Sequence, residues 1–271
     1  MNGTEPIDAL HIDDVVGEPA AASAGADPGS PYLLVDLYPG DEGPAPPFEV
    51  LVRTPGFVGV IIKATQGTRN WYNDRGWFTR NWPRVLEAGG ARYGTTWLRG
   101  AYHFLNFWQD AQAQADAYLT AIETAGGWRE GDIIPIVDVE LGGDRNPNRR
   151  ATAAQVEDCT AGWAASVKHR TGRRVCLYGR GAMRDLGIHS RMGCDVVWNP
   201  AYTARMVTNG LFPAWTLDDI ALWQYCGDGD AAFNKLPKTI AGFGDGKVDI
   251  SVHIDGARKP TLESLHKALV V

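Results

Sequence analysis

Five runs of continuous apolar sequence narrow the fold more than any other feature of this chain. They are Tyr32–Asp36, Val58–Ala64, Leu98–Leu105, Ile133–Glu140 and Arg174–Gly179. Runs of this length without polar alternation suit strands buried on both faces, as in a parallel sheet covered by helices. Helical pattern lies between several of them. Trp77–Gly89 reads as one helix. Ala115, Tyr118, Leu119 and Ile122 stand at i, i+3, i+4 and i+7, one face of a second. Thr152 with Gln155 forms a capping-box pattern that opens a third. The stripe of that third helix is Val156, Cys159, Trp163 and Val167, its stop is Gly172, and such a stripe is core.

The last third changes character. Cys194–Trp198, Ile220–Cys226 and Lys247–Ile254 read as strands with little helix between them. The fold class expected is therefore α/β: a β/α barrel whose later crossovers are degraded. A chain of 271 residues accommodates one such barrel. Residues 1–30, rich in Ala, Gly, Asp and Pro, read as a flexible N-terminal tail or tether, leaving 31–271 as the barrel.

Other global properties exclude more than they assign. A net charge of −6 argues against nucleic acid as a partner, since phosphate binding wants clustered Lys and Arg. No stretch reaches the roughly 18 apolar residues of a membrane span. Met1–Leu10 has neither the basic nor the apolar segment of a secretion signal, so synthesis in the cytoplasm is expected. Cys159, Cys176, Cys194 and Cys226 have no metal-ligand spacing and apolar neighbours, which fits buried free thiols.

Chemistry concentrates at the strand ends. Asp138 and Glu140 are two residues apart and point to the same face of a strand. In barrels the C-terminal ends of the strands carry the active site. Two carboxylates crowded there repel each other, so one pKa should rise. A raised carboxylic acid is what a glycosidase uses to protonate a leaving oxygen. Asp36 ends the first run in the same way and Asp249 lies in the last, so closure of the barrel would bring four acids to one mouth. Taken alone, the pair fits catalysis and turn formation about evenly, and hard cations also favour carboxylate oxygens.

These segments together resemble glycoside hydrolase family 25, the muramidases that act on peptidoglycan. The matching pieces, in order, are Val35-Asp36, Ile61-Ile62-Lys63-Ala64-Thr65, Gly100-Ala101-Tyr102-His103-Phe104, Val137-Asp138-Val139-Glu140, Trp223-Gln224-Tyr225 and Val248-Asp249. The resemblance implies an irregular TIM-like barrel of five β/α units followed by three strands, and hydrolysis of the β-1,4 bond between N-acetylmuramic acid and N-acetylglucosamine, with no metal and no cofactor. It places the acid at Glu140, its partner carboxylate at Asp138, and supporting acids at Asp36 and Asp249. It implies substrate contacts at Tyr102, His103, Lys63, Trp198, Tyr202, Trp223 and Gln224.

Two departures stand out. Gln66 occupies a position where Glu is frequent in the family, and Leu37–Asp41 lacks the usual Ser-His or Asn-His with Trp. The partner expected is bacterial peptidoglycan, met by a monomer at the cell wall after release as an endolysin or as part of a virion. Residues 1–30 are a candidate tether to a phage or secretion assembly. A non-catalytic sugar-binding or structural module on the same fold is the competing reading.

Overall fold

The computed structural model describes residues 31–39, 45–68, 76–93, 97–203, 205–211, 213–231, 236–243, 247–256 and 258–270. The tail or tether expected over residues 1–30 lies outside them. Strands β1 (Leu33–Leu37), β2 (Phe57–Gln66), β3 (Leu98–Phe104), β4 (Ile136–Asp138), β5 (Cys176–Tyr178), β6 (Val196–Pro200), β7 (Ile220–Cys226) and β8 (Asp249–His253) follow one another around a closed barrel. Pairing is parallel from β1 through β7. β8 runs antiparallel to both β7 and β1, so the barrel closes as a mixed sheet.

Helices α1 (Phe48–Arg53), α2 (Trp77–Tyr93), α3 (Ala111–Thr124), α4 (Ala153–Thr171) and α5 (Gly181–Leu186) fill the first five crossovers. From β6 to β8 the connections among the described residues carry a single short 3-10 turn, Leu217–Asp219. The expected architecture of five β/α units and three strands is the one observed. Local chemistry sets the helix ends. Thr152 and Gln155 cap α4 reciprocally, and Gly172 ends it in the left-handed conformation at φ 66°. Asp110 accepts from the Ala113 amide at the start of α3.

Strand alternation sorts the core into two layers. Leu34, Ile61, Leu98, Ile136, Cys176, Val196 and Leu222 fill the barrel interior. Their neighbours Val35, Ile62, Val137, Leu177, Val197 and Trp223 face outward, in one buried cluster with Trp82, Tyr118 and Trp163. All four cysteines are buried and unpaired by disulfides.

Two differences from the sequence expectation meet at one end of the barrel. The fourth run forms a strand only over Ile136–Asp138, because the Ile134 amide donates to Leu269 O at 2.7 Å instead of joining the ladder, and Pro135 has no amide hydrogen to give. The acceptor belongs to a sixth helix, α6 (Leu262–Leu269), which the apolar pattern had not revealed. It closes the N-terminal end of the barrel with Leu265 and Leu269, leaving the opposite end open for a site. No described helix is long and apolar enough to cross a membrane.

Candidate active site

Two places after six of the seven interior residues stands an inward-facing polar or aromatic one; after Leu98 it is Gly100, with Tyr102 two places further on. Asp36 follows Leu34, Lys63 follows Ile61, Asp138 follows Ile136, Tyr178 follows Cys176, Trp198 follows Val196 and Gln224 follows Leu222. Period-2 alternation therefore stacks a ring of functional groups directly on the apolar interior. Asp36 and Asp249 are opposite partners in the antiparallel β1–β8 ladder, which puts both carboxylates on one face.

This ring floors a cavity of about 200 Å³ lined by Asp36, Asp138, Glu140 and Asp249, with Lys63, Tyr38, Tyr102, Phe104, Tyr178 and Trp198 around them. Asp138 is buried at the strand end. Its Oδ1 has no hydrogen-bond partner among the described residues. Glu140 lies just past the strand and is partly exposed. Val139 between them is pinned by its amide, which donates to Tyr178 O at 2.9 Å. Gly179 presses against this turn at φ 135°. A Cβ there would sit 2.5 Å from Val139 O, so only glycine fits.

The charges interact strongly. Burial pushes the Asp138 carboxyl well above its usual range, and the neighbouring Glu140 adds to this, while Lys63 pulls it down. Burial likewise raises Glu140, and again Lys63 opposes. Asp36 is raised well above its usual value by burial and by Asp249, against the stabilising amide of Gln224. Burial lowers Lys63, which Asp138 and Glu140 counteract. Its ammonium donates to Gln66 Oε1 at 2.9 Å and stands 4.7 Å from the Phe104 ring centre. Gln66 is thus a neutral acceptor to this cation, where Glu would have supplied a charge. Among the described residues, no group of three or more His, Cys, Asp or Glu side chains is arranged to hold a metal ion.

The sequence-derived contact residues divide into four sets. Tyr102, Lys63 and Trp198 line the cavity. Trp198 is held by donation from Nε1 to Ser251 Oγ at 2.8 Å and by edge-on packing against Tyr178 at 4.7 Å. Tyr202 stands at the rim, 45% exposed, with its hydroxyl donating to Gln224 Oε1 at 2.9 Å. Gln224, by contrast, is wholly buried. Its Nε2 donates to Asp36 at 3.0 and 3.2 Å and to Asp249 Oδ2 at 3.5 Å, while its Oε1 also accepts from Tyr178 at 2.7 Å. It holds the acids rather than facing the cavity.

His103 and Trp223 are not brought to the cavity at all, because odd-numbered positions on β3 and β7 face outward. His103 stacks on Trp163 at 5.5 Å, with Nδ1 bonded to Thr65 at 2.7 Å and Nε2 to Gln114 at 3.3 Å. Burial pushes its pKa down to about 3, which keeps it neutral. Trp223 donates from Nε1 to Ala201 O at 2.7 Å in the outer layer. Sequence reasoning passed over Tyr38, Phe104 and Tyr178 as site residues. Tyr178 could have been found by counting two places on from Cys176.

Residues 47–232 match the sequence profile of glycosyl hydrolases family 25. Among curated proteins, the chain is 26% identical over 196 residues to the uncharacterized protein YegX of Escherichia coli O6:H1, covering 69% of this chain and 62% of that protein. The chain thus spans less than two thirds of the length of the curated relatives it matches. A bacterial lysozyme from Streptomyces coelicolor superposes with a TM-score of 0.61 at 23% identity, covering 88% of this chain and 97% of that one. A family 25 lysozyme from Aspergillus fumigatus superposes with a TM-score of 0.62 at 19% identity, covering 88% and 99%. At these identities the structural likeness establishes a shared fold.

Proposed function

This chain belongs to the glycosyl hydrolases of family 25, and from that premise we propose that it hydrolyses the β-1,4 bond between N-acetylmuramic acid and N-acetylglucosamine in bacterial peptidoglycan. The catalytic unit on this reading is residues 31–271. The observation that carries it is the convergence of Asp138, Glu140, Asp36 and Asp249 on one aromatic-walled cavity at the open end of the barrel.

Glu140 is the proton donor. It reaches the cavity mouth, where a glycosidic oxygen has access, and burial favours its protonated form. Proton transfer to the leaving oxygen breaks the bond through an oxocarbenium-like state. Asp138 sits one step deeper, and its unpartnered Oδ1 is available to orient the substrate acetamide or to stabilise positive charge on the sugar. Because the two carboxyls are close and both raised, they titrate as a pair that holds a proton above the usual carboxylate range. Lys63 limits how far they rise. Asp36 and Asp249, bridged by Gln224, form the acidic wall opposite.

The test is Glu140→Gln. Wall lysis should fall by about 10²–10⁴-fold, the usual contribution of a positioned general acid, with the fold retained. Near-normal turbidity clearing by that variant would remove Glu140 from the mechanism. Mass spectrometry of wild-type digests fixes the bond. Fragments ending in reducing muramic acid support the assignment, whereas reducing glucosamine ends or cleaved peptides contradict it.

A further inference from the structure

The large apolar side chains most exposed among the described residues are Tyr38 at 36%, Trp108 at 49% and Tyr202 at 45%. Each follows the C-terminal end of a barrel strand: β1, β3 and β6 respectively. Tyr38 lines the acid cavity and Tyr202 is tied to Gln224 beside it. Trp108 lies outside the cavity lining. A lone exposed apolar side chain on a surface needs no special account, but two features set Trp108 apart.

Its indole is fixed although half of it is in solvent. Nε1 donates to Pro147 O at 2.9 Å, and its backbone amide donates to Asn106 Oδ1 at 3.0 Å. The polar edge of the ring is thereby satisfied and the flat apolar face is left presented. An aromatic ring held in this way loses little freedom when a ligand settles on it. Secondly, the loops that hold Trp108 also hold Glu140. Asn148 is buried. Its Nδ2 donates to Glu140 O at 3.0 Å and to Leu105 O at 2.8 Å, and its Oδ1 accepts from the Phe107 amide at 3.1 Å. Trp108 follows Phe107 directly, so one buried side chain links its loop to the proposed acid.

We propose that Trp108 is a stacking platform for a further pyranose ring of the glycan strand, bound beyond the ring that occupies the acid cavity. The apolar C–H face of a pyranose matches a flat indole face. The proposal deepens the hydrolase reading above and rests on it for the nature of the ligand.

The experiment compares Trp108→Ala and Trp108→Phe on peptide-free glycan strands of alternating N-acetylglucosamine and N-acetylmuramic acid, prepared short (tetrasaccharide) and long. KM is measured in the active chain. Kd is measured by calorimetry in the Glu140→Gln background, where no cleavage intervenes. Trp108→Ala should weaken long-strand KM and Kd about tenfold, equivalent to about 1.4 kcal/mol, and weaken the short strand severalfold less. Trp108→Phe keeps a ring face but loses the bond to Pro147, and should retain most of the long-strand affinity. Equal losses in both variants, with a fall in Tm, would mean that Trp108 is only a loop strut and would overturn the proposal. So would equal effects on short and long strands, or no strand binding at all. If the wild type binds long strands without cleaving them, the hydrolase reading fails, and the Kd comparison still decides the role of Trp108.

Discussion

Replacing Gln224 by Leu separates a residue that touches substrate from one that positions the acids. Leu keeps the bulk but removes every polar contact. The Asp36 carboxyl loses donors at 3.0 and 3.2 Å, an interaction to a charged group that contributes about 1.5–3 kcal/mol. The buried Tyr178 hydroxyl loses its acceptor at 2.7 Å, which costs about 1–3 kcal/mol when nothing replaces it. Tyr202 is half exposed, so water takes over its bond at little cost. The expected total is about 2.5–6 kcal/mol, and at about 2–4 °C per kcal/mol for a large domain the Tm should drop by on the order of 10 °C. With Asp36 released, kcat should fall at least about tenfold while KM changes little. Scanning calorimetry and steady-state kinetics on solubilised peptidoglycan read both quantities. A Tm within about 2 °C of wild type, together with a raised KM and unchanged kcat, would refute the positioning role and return Gln224 to the substrate contacts.

Three further outcomes follow from the same geometry. Lys63→Met removes the cation that pulls Asp138 and Glu140 down, so the alkaline limb of the kcat/KM profile should move to higher pH; a limb that stays or moves lower contradicts the coupling. Asp138→Asn should slow hydrolysis about 100-fold or more, by analogy with loss of one preorganised electrostatic group, yet raise Tm at neutral pH. The sign follows because burial raises the folded-state pKa of Asp138, so its contribution to stability is present below the unfolded value and lost as pH rises through the folded one. The Tm gain of Asn over Asp must therefore shrink as pH falls below the usual carboxylate range, and a gain independent of pH would defeat the argument. Asp132→Ala strands the buried Arg99, which donates to Asp132 from Nε at 2.9 Å and stacks on Trp82 at 3.7 Å. Urea unfolding should show a loss of about 3–5 kcal/mol, with little change in kcat for the folded fraction.

Much of the architecture was readable because burial on both faces leaves a continuous apolar signature. β7 coincides with Ile220–Cys226, and the capping box at Thr152 and the stop at Gly172 mark both ends of α4. Helix α6 escaped because what it does is tertiary: it plugs the barrel end, and nothing in eight residues of sequence states what they will cover.

The four acids could be named from sequence because a strand end and a two-residue spacing are local properties. Asp138 and Glu140 share a face wherever that strand lies. That Asp36 meets Asp249 depends on the last strand turning antiparallel and closing against the first, which is a long-range choice. Closure also decides parity. It turned His103 and Trp223 outward into the helical layer, buried Gln224 as a bridge between carboxyls, and put Tyr178 beside Trp198. Residue identity records what chemistry is available, whereas inside and outside exist only once the sheet has curved shut.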